Sequence, residues 1–178
     1  MNFINDTVFL NAFLGIFTTW LKKEPIDLMS IEHISLTAPL VEGKERIIKY
    51  LPQRAPFVMV ESLWVNNETT TVTSLTITSD NCLCENDYFI ESGLLENMAQ
   101  TAAVRVGYGF IEAGLDVPVG FITAIKDLKV FRYPEVGDTI YTEAEHVNDV
   151  MNFSIVKGRV YVNQQLVAEA EVRVFINK

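Results

Sequence analysis

The chain has 178 residues, a formal net charge of −9 and 49% hydrophobic residues. Those values describe one globular domain long enough to bury a substantial core. The acidic balance argues against nucleic acid or an anionic membrane as the main partner, because both reward basic surfaces.

Residues 1–40 are expected to form an N-terminal extension, an amphipathic helix followed by an irregular segment. Phe9, Phe13, Ile16, Phe17 and Trp20 recur at helical spacing ahead of Lys22, Lys23 and the breaker Pro25. The apolar run 8–21 is short for a membrane span, which takes about 20 residues, so none is expected. Its lysines follow the apolar run, whereas a signal peptide carries its positive charge first. Met29 is an alternative natural start, which would leave these residues as an upstream extension. Residues 41–178 are expected to be a single domain.

Residues 41–50 can form a short helix, and the two prolines of Leu51-Pro52-Gln53-Arg54-Ala55-Pro56-Phe57 turn the chain into an ordered loop. Strands are expected over 57–66 and 69–78, joined at Asn66-Asn67-Glu68, with a polar loop over 79–91. A long helix follows over 91–113. Ser92 is its expected N-cap, and Leu95, Met98, Ala99, Ala102 and Val106 its apolar face. Ala99, Ala102, Ala103 and Gly107 are small enough to let a sheet approach, while Gly107, Gly109 and Gly114 weaken and end the helix. Four strands then close the chain over 119–132, 138–148, 153–163 and 166–176. This order, with short late connections, implies an antiparallel sheet carrying one long helix, an α+β fold.

Cys82 and Cys84 are one residue apart, point to opposite faces of a strand, and are expected to be free thiols in a reducing cytoplasm. No metal is expected, because His33 and His146 are the only histidines and neither has a second ligand at a recognised spacing. No phosphate loop, nucleophile elbow or dinucleotide fingerprint is present.

Three segments carry a family resemblance. Leu51-Pro52-Gln53-Arg54-Ala55-Pro56-Phe57-Val58-Met59-Val60-Glu61, Gly93-Leu94-Leu95-Glu96-Asn97-Met98-Ala99-Gln100, and the run from Gly120-Phe121-Ile122 to Pro134-Glu135-Val136-Gly137-Asp138 lie in that order. Together they resemble the 3-hydroxyacyl-[acyl-carrier-protein] dehydratases of the FabZ type. The resemblance implies the hotdog fold, a curved antiparallel sheet wrapped around one central helix, in a homodimer or higher oligomer. It also implies an acyl thioester on acyl carrier protein or coenzyme A as ligand, in fatty-acid or polyketide and polyene metabolism, and no cofactor. In such enzymes a His of the first motif works with the helix Glu of the other subunit.

In this chain the His position is Gln53, whose amide can hydrogen-bond but cannot act as a general base near neutral pH. The family's Gly-His-Phe-Pro-Gly-x-Pro loop is replaced by Cys84-Glu85-Asn86-Asp87-Tyr88-Phe89-Ile90-Glu91. The expected site is therefore Glu96, Gln53 and Gly93, whose N–H would polarise the thioester carbonyl. Gln100, Phe57, Phe89, Leu94, Phe121 and Ile122 are expected around the acyl chain. Arg54, Lys126, Lys129 and Arg132 are expected to dock the acidic carrier. Three activities fit these residues. One is dehydration that is reduced or altered, and another is thioester hydrolysis by Glu96 and Gln53. The third is a non-catalytic role, pairing with an active hotdog subunit.

Overall fold

A computed structural model describes residues 30–31 and 34–177; the amphipathic helix expected before residue 22, the alternative start at Met29, and His33 lie outside these. Two-residue strands β1 (Ser30–Ile31) and β2 (Ile34–Ser35) pair with each other and lead to Leu36, which is buried against Val72 and Tyr161. A single helical turn, α1 (Lys44–Ile47), continues as a 3-10 turn over Ile48–Tyr50. Strands β3 (Ser62–Asn66) and β4 (Thr70–Thr76) follow, then the short ladder β5 (Cys84–Glu85) and β6 (Tyr88–Phe89). The long helix α2 (Glu91–Glu112) comes next, then β7 (Val119–Val130), β8 (Thr139–Val150), β9 (Phe153–Val162) and β10 (Gln165–Asn177).

Six strands form one sheet in the order β3-β4-β8-β9-β10-β7, with every neighbouring pair antiparallel. Strand alternation decides what faces the helix. In β8 the buried positions are Ile140, Thr142 and Ala144, and in β9 Ser154, Val156, Gly158 and Val160. Of these, Ile140 and Val160 pack with Leu94 and Met98 of α2 in the main core, and Ala144 and Val156 pack with Ala102. Helix and sheet come close at Gly158, where a Cβ would sit 2.8 Å from the Met98 side chain. The turns between late strands are tight: Asn163 and Gln164 both take positive φ, the backbone of a two-residue hairpin loop.

The helix ends differ from the sequence reading. Ser92 does not cap α2; Ile90 holds the extended N-cap position without a side-chain bond. The entry is fixed by backbone instead, with Phe89 N–H donating to Pro134 O at 2.8 Å and Ile90 N–H to Leu83 O at 3.2 Å. Tyr133 O–H donates to the Glu91 carboxylate, which holds that carboxyl below its ordinary range. At the other end Gly114, at φ 71°, donates to Ile111 O, and Leu115 to Phe110 O. That pair of bonds is a Schellman stop. Gly107 lies inside the helix, where a Cβ would meet the Tyr50 carbonyl oxygen at 2.0 Å. It allows a close crossing and does not end the helix.

The strand expected over 57–66 begins only at Ser62. Upstream, the backbone of Phe57 and Met59 runs beside α2 and takes its hydrogen bonds from helix side chains. Gln100 Nε2 donates to Phe57 O at 2.7 Å and Met59 N–H donates to Gln100 Oε1 at 2.8 Å. Asn97 Nδ2 donates to Met59 O at 2.7 Å. Two amides thus take the place of a neighbouring strand, satisfying a buried backbone.

Candidate active site

The first motif is shaped to present Gln53. The Arg54 guanidinium folds back on the carbonyls of Leu51 and Gln53 at 2.7 and 2.8 Å, and Phe57 N–H closes on Arg54 O at 3.0 Å. Arg54 is therefore a brace for its own loop. Gln53 Nε2 lies 3.4 Å from Glu96 Oε1, a long hydrogen bond, and Gln100 Nε2 reaches the same oxygen at 2.8 Å. Both amides converge on one carboxylate oxygen and leave the other unused by them. Gln53 Oε1 is buried and, among the described residues, has no hydrogen-bond partner. A buried acceptor in that state carries a desolvation cost of about 1–3 kcal/mol that a donor on a ligand would relieve.

Gln53 and Glu96 belong to the wall of a cavity of about 250 Å³ between α2 and the concave face of the sheet. Its helix side is Ala99, Ala102, Ala103 and Val106, and its sheet side includes Ala144, Val156 and Val174. Ala102 does let the sheet approach, packing with Ala144 and Val156, while Ala99 and Ala103 flank the cavity. The pairing of Gln53 with Glu96 is made within one chain, whereas the resemblance implied a pair formed across two subunits.

The remaining expected residues divide. Phe121 and Ile122 line the cavity. Phe89 and Leu94 are fully buried in the main core, and Phe57 is exposed, holding Gln100 through its carbonyl alone. Gly93 is buried under Phe89, where a Cβ would meet the ring at 2.5 Å, and is not among the described residues of the cavity wall. Gln100 is a scaffold for the loop and for Glu96. Among the docking cations, Lys129 bonds Glu169 at 2.8 Å, Arg132 approaches Asp138 at 3.5 Å, and Lys126 is exposed.

Sequence reasoning missed Asn97 and Thr101, both fully buried. Asn97 accepts from Thr142 Oγ1, and Thr101 Oγ1 donates to Asn97 O at 2.8 Å. It also passed over His146, which lines the cavity and bonds Asp149 Oδ1 at 2.9 Å. Polar residues recurring at 97, 100 and 101 in an otherwise apolar helix were the available signal. Both cysteines are free. Among the described residues no cluster suits a metal ion, and no helix is long and apolar enough to cross a membrane.

The turn that ends the third motif is structural. Asp138 Oδ2 accepts from Glu135 N–H at 3.0 Å, and Val136 N–H donates to Asp87 O at 2.9 Å. Gly137, at φ 96°, donates to Ile77 O at 2.9 Å. This turn pins the loop that feeds the start of α2.

Known proteins share both the sequence and the shape. A 3-hydroxyacyl-[acyl-carrier-protein] dehydratase FabZ from Haemophilus ducreyi is 25% identical over 150 residues, covering 81% of this chain and 97% of the relative. The dehydratase heterocomplex ApeI:P from Xenorhabdus doucetiae superposes with a TM-score of 0.64 at 15% identity, over 80% of this chain and 93% of that one. A hypothetical thioesterase protein with coenzyme A from Streptococcus pneumoniae TIGR4 gives 0.52 at 14% identity, over 65% and 84%. These structural likenesses establish the hotdog fold. A family model described as ApeP dehydratase matches residues 45–178, most of the chain, and the protein is a member of that ApeP-like, FabZ-related hotdog dehydratase family.

Proposed function

We propose that the protein binds a 3-hydroxyacyl thioester in the α2 cavity and dehydrates it slowly, with Glu96 as the reacting carboxylate and Gln53 as a positioning amide. The unpartnered Gln53 Oε1 beside Glu96 carries this reading. It is a buried hydrogen-bond acceptor that no described residue satisfies, and the substrate's 3-hydroxyl is a donor that could. Glu96 takes the proton from C2, the C3–O bond breaks as the C2=C3 double bond forms, and the same proton leaves with the hydroxyl as water. One carboxylate serves in turn as base and acid, so no second titrating group is needed. The apolar wall of Ala99, Ala102 and Val106 suits the acyl chain. Cytoplasmic action on a thioester carried by acyl carrier protein or coenzyme A belongs to the same reading.

A second reading is supported by the sheet edge. Among the described residues β7 pairs on one side only, with β10, and it exposes Phe121, Ile122 and Ile125. An edge of that kind takes a second subunit, either another copy or a different hotdog protein with a stronger base. The heteromeric assembly of the ApeI:P dehydratase supports the latter.

Incubation with 3-hydroxyacyl and saturated acyl thioesters, following enoyl product and free thiol together, separates the activities. Glu96→Gln should lower enoyl formation by about 10²–10⁴-fold, the usual worth of a positioned acid–base group. Gln53→His should raise it. Thiol release without enoyl product would replace this reading with hydrolysis. Silence on both, relieved by adding a second hotdog subunit, would assign the chain to a supporting role.

A further inference from the structure

The outward face of the sheet, turned away from α2, falls into three zones. Alternation puts Tyr141 and Glu143 of β8, and Phe153, Arg159 and Tyr161 of β9, on that face. At one end Leu36 is buried against Tyr161 and Val72, with Trp64 and Tyr141 packed alongside. A charged belt follows, where Arg159 bonds Glu143 at 3.2 Å and Glu145 at 2.9 Å, and Arg173 bonds Glu171 at 2.9 Å. Beyond the belt the face turns apolar again. The register sets Phe153 opposite both Val150 and Phe175, and Phe175 opposite Phe121. The Phe153 and Phe175 rings meet edge to face at 5.3 Å. Among the described residues this row is left open: Phe153 is 40% exposed, Val150 50%, and Phe121, which also lines the cavity, 56%. A contiguous apolar row of that kind marks an interaction surface.

We propose that this row is the seat of residues 8–21 of the same chain. Ser30 pairs with Ser35, next to Leu36, so the chain upstream of residue 30 sets out from the covered end of this same face. Along β9 the open row at Phe153 lies about 26 Å from Tyr161, at roughly 3.3 Å per residue. The connection from Leu21 to Ser30 reaches at most about 30 Å, enough to cover that distance. It begins Lys22-Lys23-Glu24-Pro25-Ile26-Asp27, a charged stretch suited to passing over the belt. Ahead of it Phe9, Phe13, Phe17 and Trp20 fall on one face of a 3.6-residue period. A helix over 8–21 would be about 21 Å long, and four strands spaced about 4.8 Å apart span less than that. A second copy joined edge to edge at β7 would extend the sheet sideways and leave Phe153 and Val150 uncovered.

Hydrogen–deuterium exchange on the full chain tests this. Amides of residues 9–20 should exchange at least tenfold more slowly than those of an unstructured chain. Phe153→Ser should speed them at least fivefold, and Val150→Asp serves if the first variant does not fold. Light scattering on the same samples should give one mass for wild type and variant. Unprotected amides over 9–20, or protection that the folded variants leave in place, would overturn the proposal. A variant that lowers the mass while leaving the exchange of 9–20 unchanged would give the row to a second copy instead.

Discussion

The two sides of α2 obey opposite rules. On one side Asn97, Gln100 and Thr101 are fully buried, and each of their side chains makes hydrogen bonds to protein groups. On the other, Ala99, Ala102 and Ala103 line open space and make no polar bonds through their methyls. The polar side is filled and fixes geometry, whereas the alanine side is left partly empty for a ligand. A helix usually keeps its polar residues for solvent; this one spends them inside, where they hold the first motif against Glu96.

That contrast can be broken from either side. The largest stability effect is expected from Asn97→Leu, which removes the donor to Met59 O and the acceptor for Thr142 and strands both partners. Urea unfolding should show a loss of about 2–5 kcal/mol, given roughly 1–3 for each buried group left unpaired. A loss under about 1 kcal/mol would mean that the buried amide is dispensable. Ala99→Leu tests the open side. It should cost less than about 1.5 kcal/mol because the new side chain enters existing space, yet weaken acyl-thioester binding at least tenfold by calorimetry. Unchanged binding would show that the ligand lies elsewhere.

The smallest effect concerns pH. Hydrogen bonding by Lys129 to Glu169 and by His146 to Asp149 lowers both carboxyl pKa values. A carboxyl lowered on folding stabilises the native state above its unfolded pKa and loses that contribution as pH falls through the folded value. Melting temperatures should therefore hold steady from pH 7 to about 5 and decline below about pH 4. Lys129→Met should make the decline shallower. Neither pair includes Asn97, Gln100 or Thr101, so the acid response should leave the helix contrast intact.

The sheet was largely legible, because alternation in β8 and β9 survives any tertiary context that buries one face. The resemblance brought Gln53 and Glu96 together across two subunits, whereas their contact lies within one chain. What could not be read was the partner of the 57–60 backbone, since nothing local says that Asn97 and Gln100 will stand in for a strand. The same gap misplaced the buried face of α2: Leu95 and Val106 are only half-buried, while Asn97 and Thr101 are fully covered. His146 lies near a strand end in the sequence, and its place on the cavity wall depends on β8 lying across from α2, which periodicity alone does not reveal.

Gln100 has a consequence for how such chains are recognised. Its side chain must give a proton to Phe57 O and take one from Met59 N–H, a pairing that glutamate or lysine cannot reproduce. The glutamine of the Ala-Gln motif is thus demanded by architecture whatever reaction takes place beside it. Finding that letter in a new sequence identifies the scaffold; only the residue at position 53 and the lining of the void speak to chemistry.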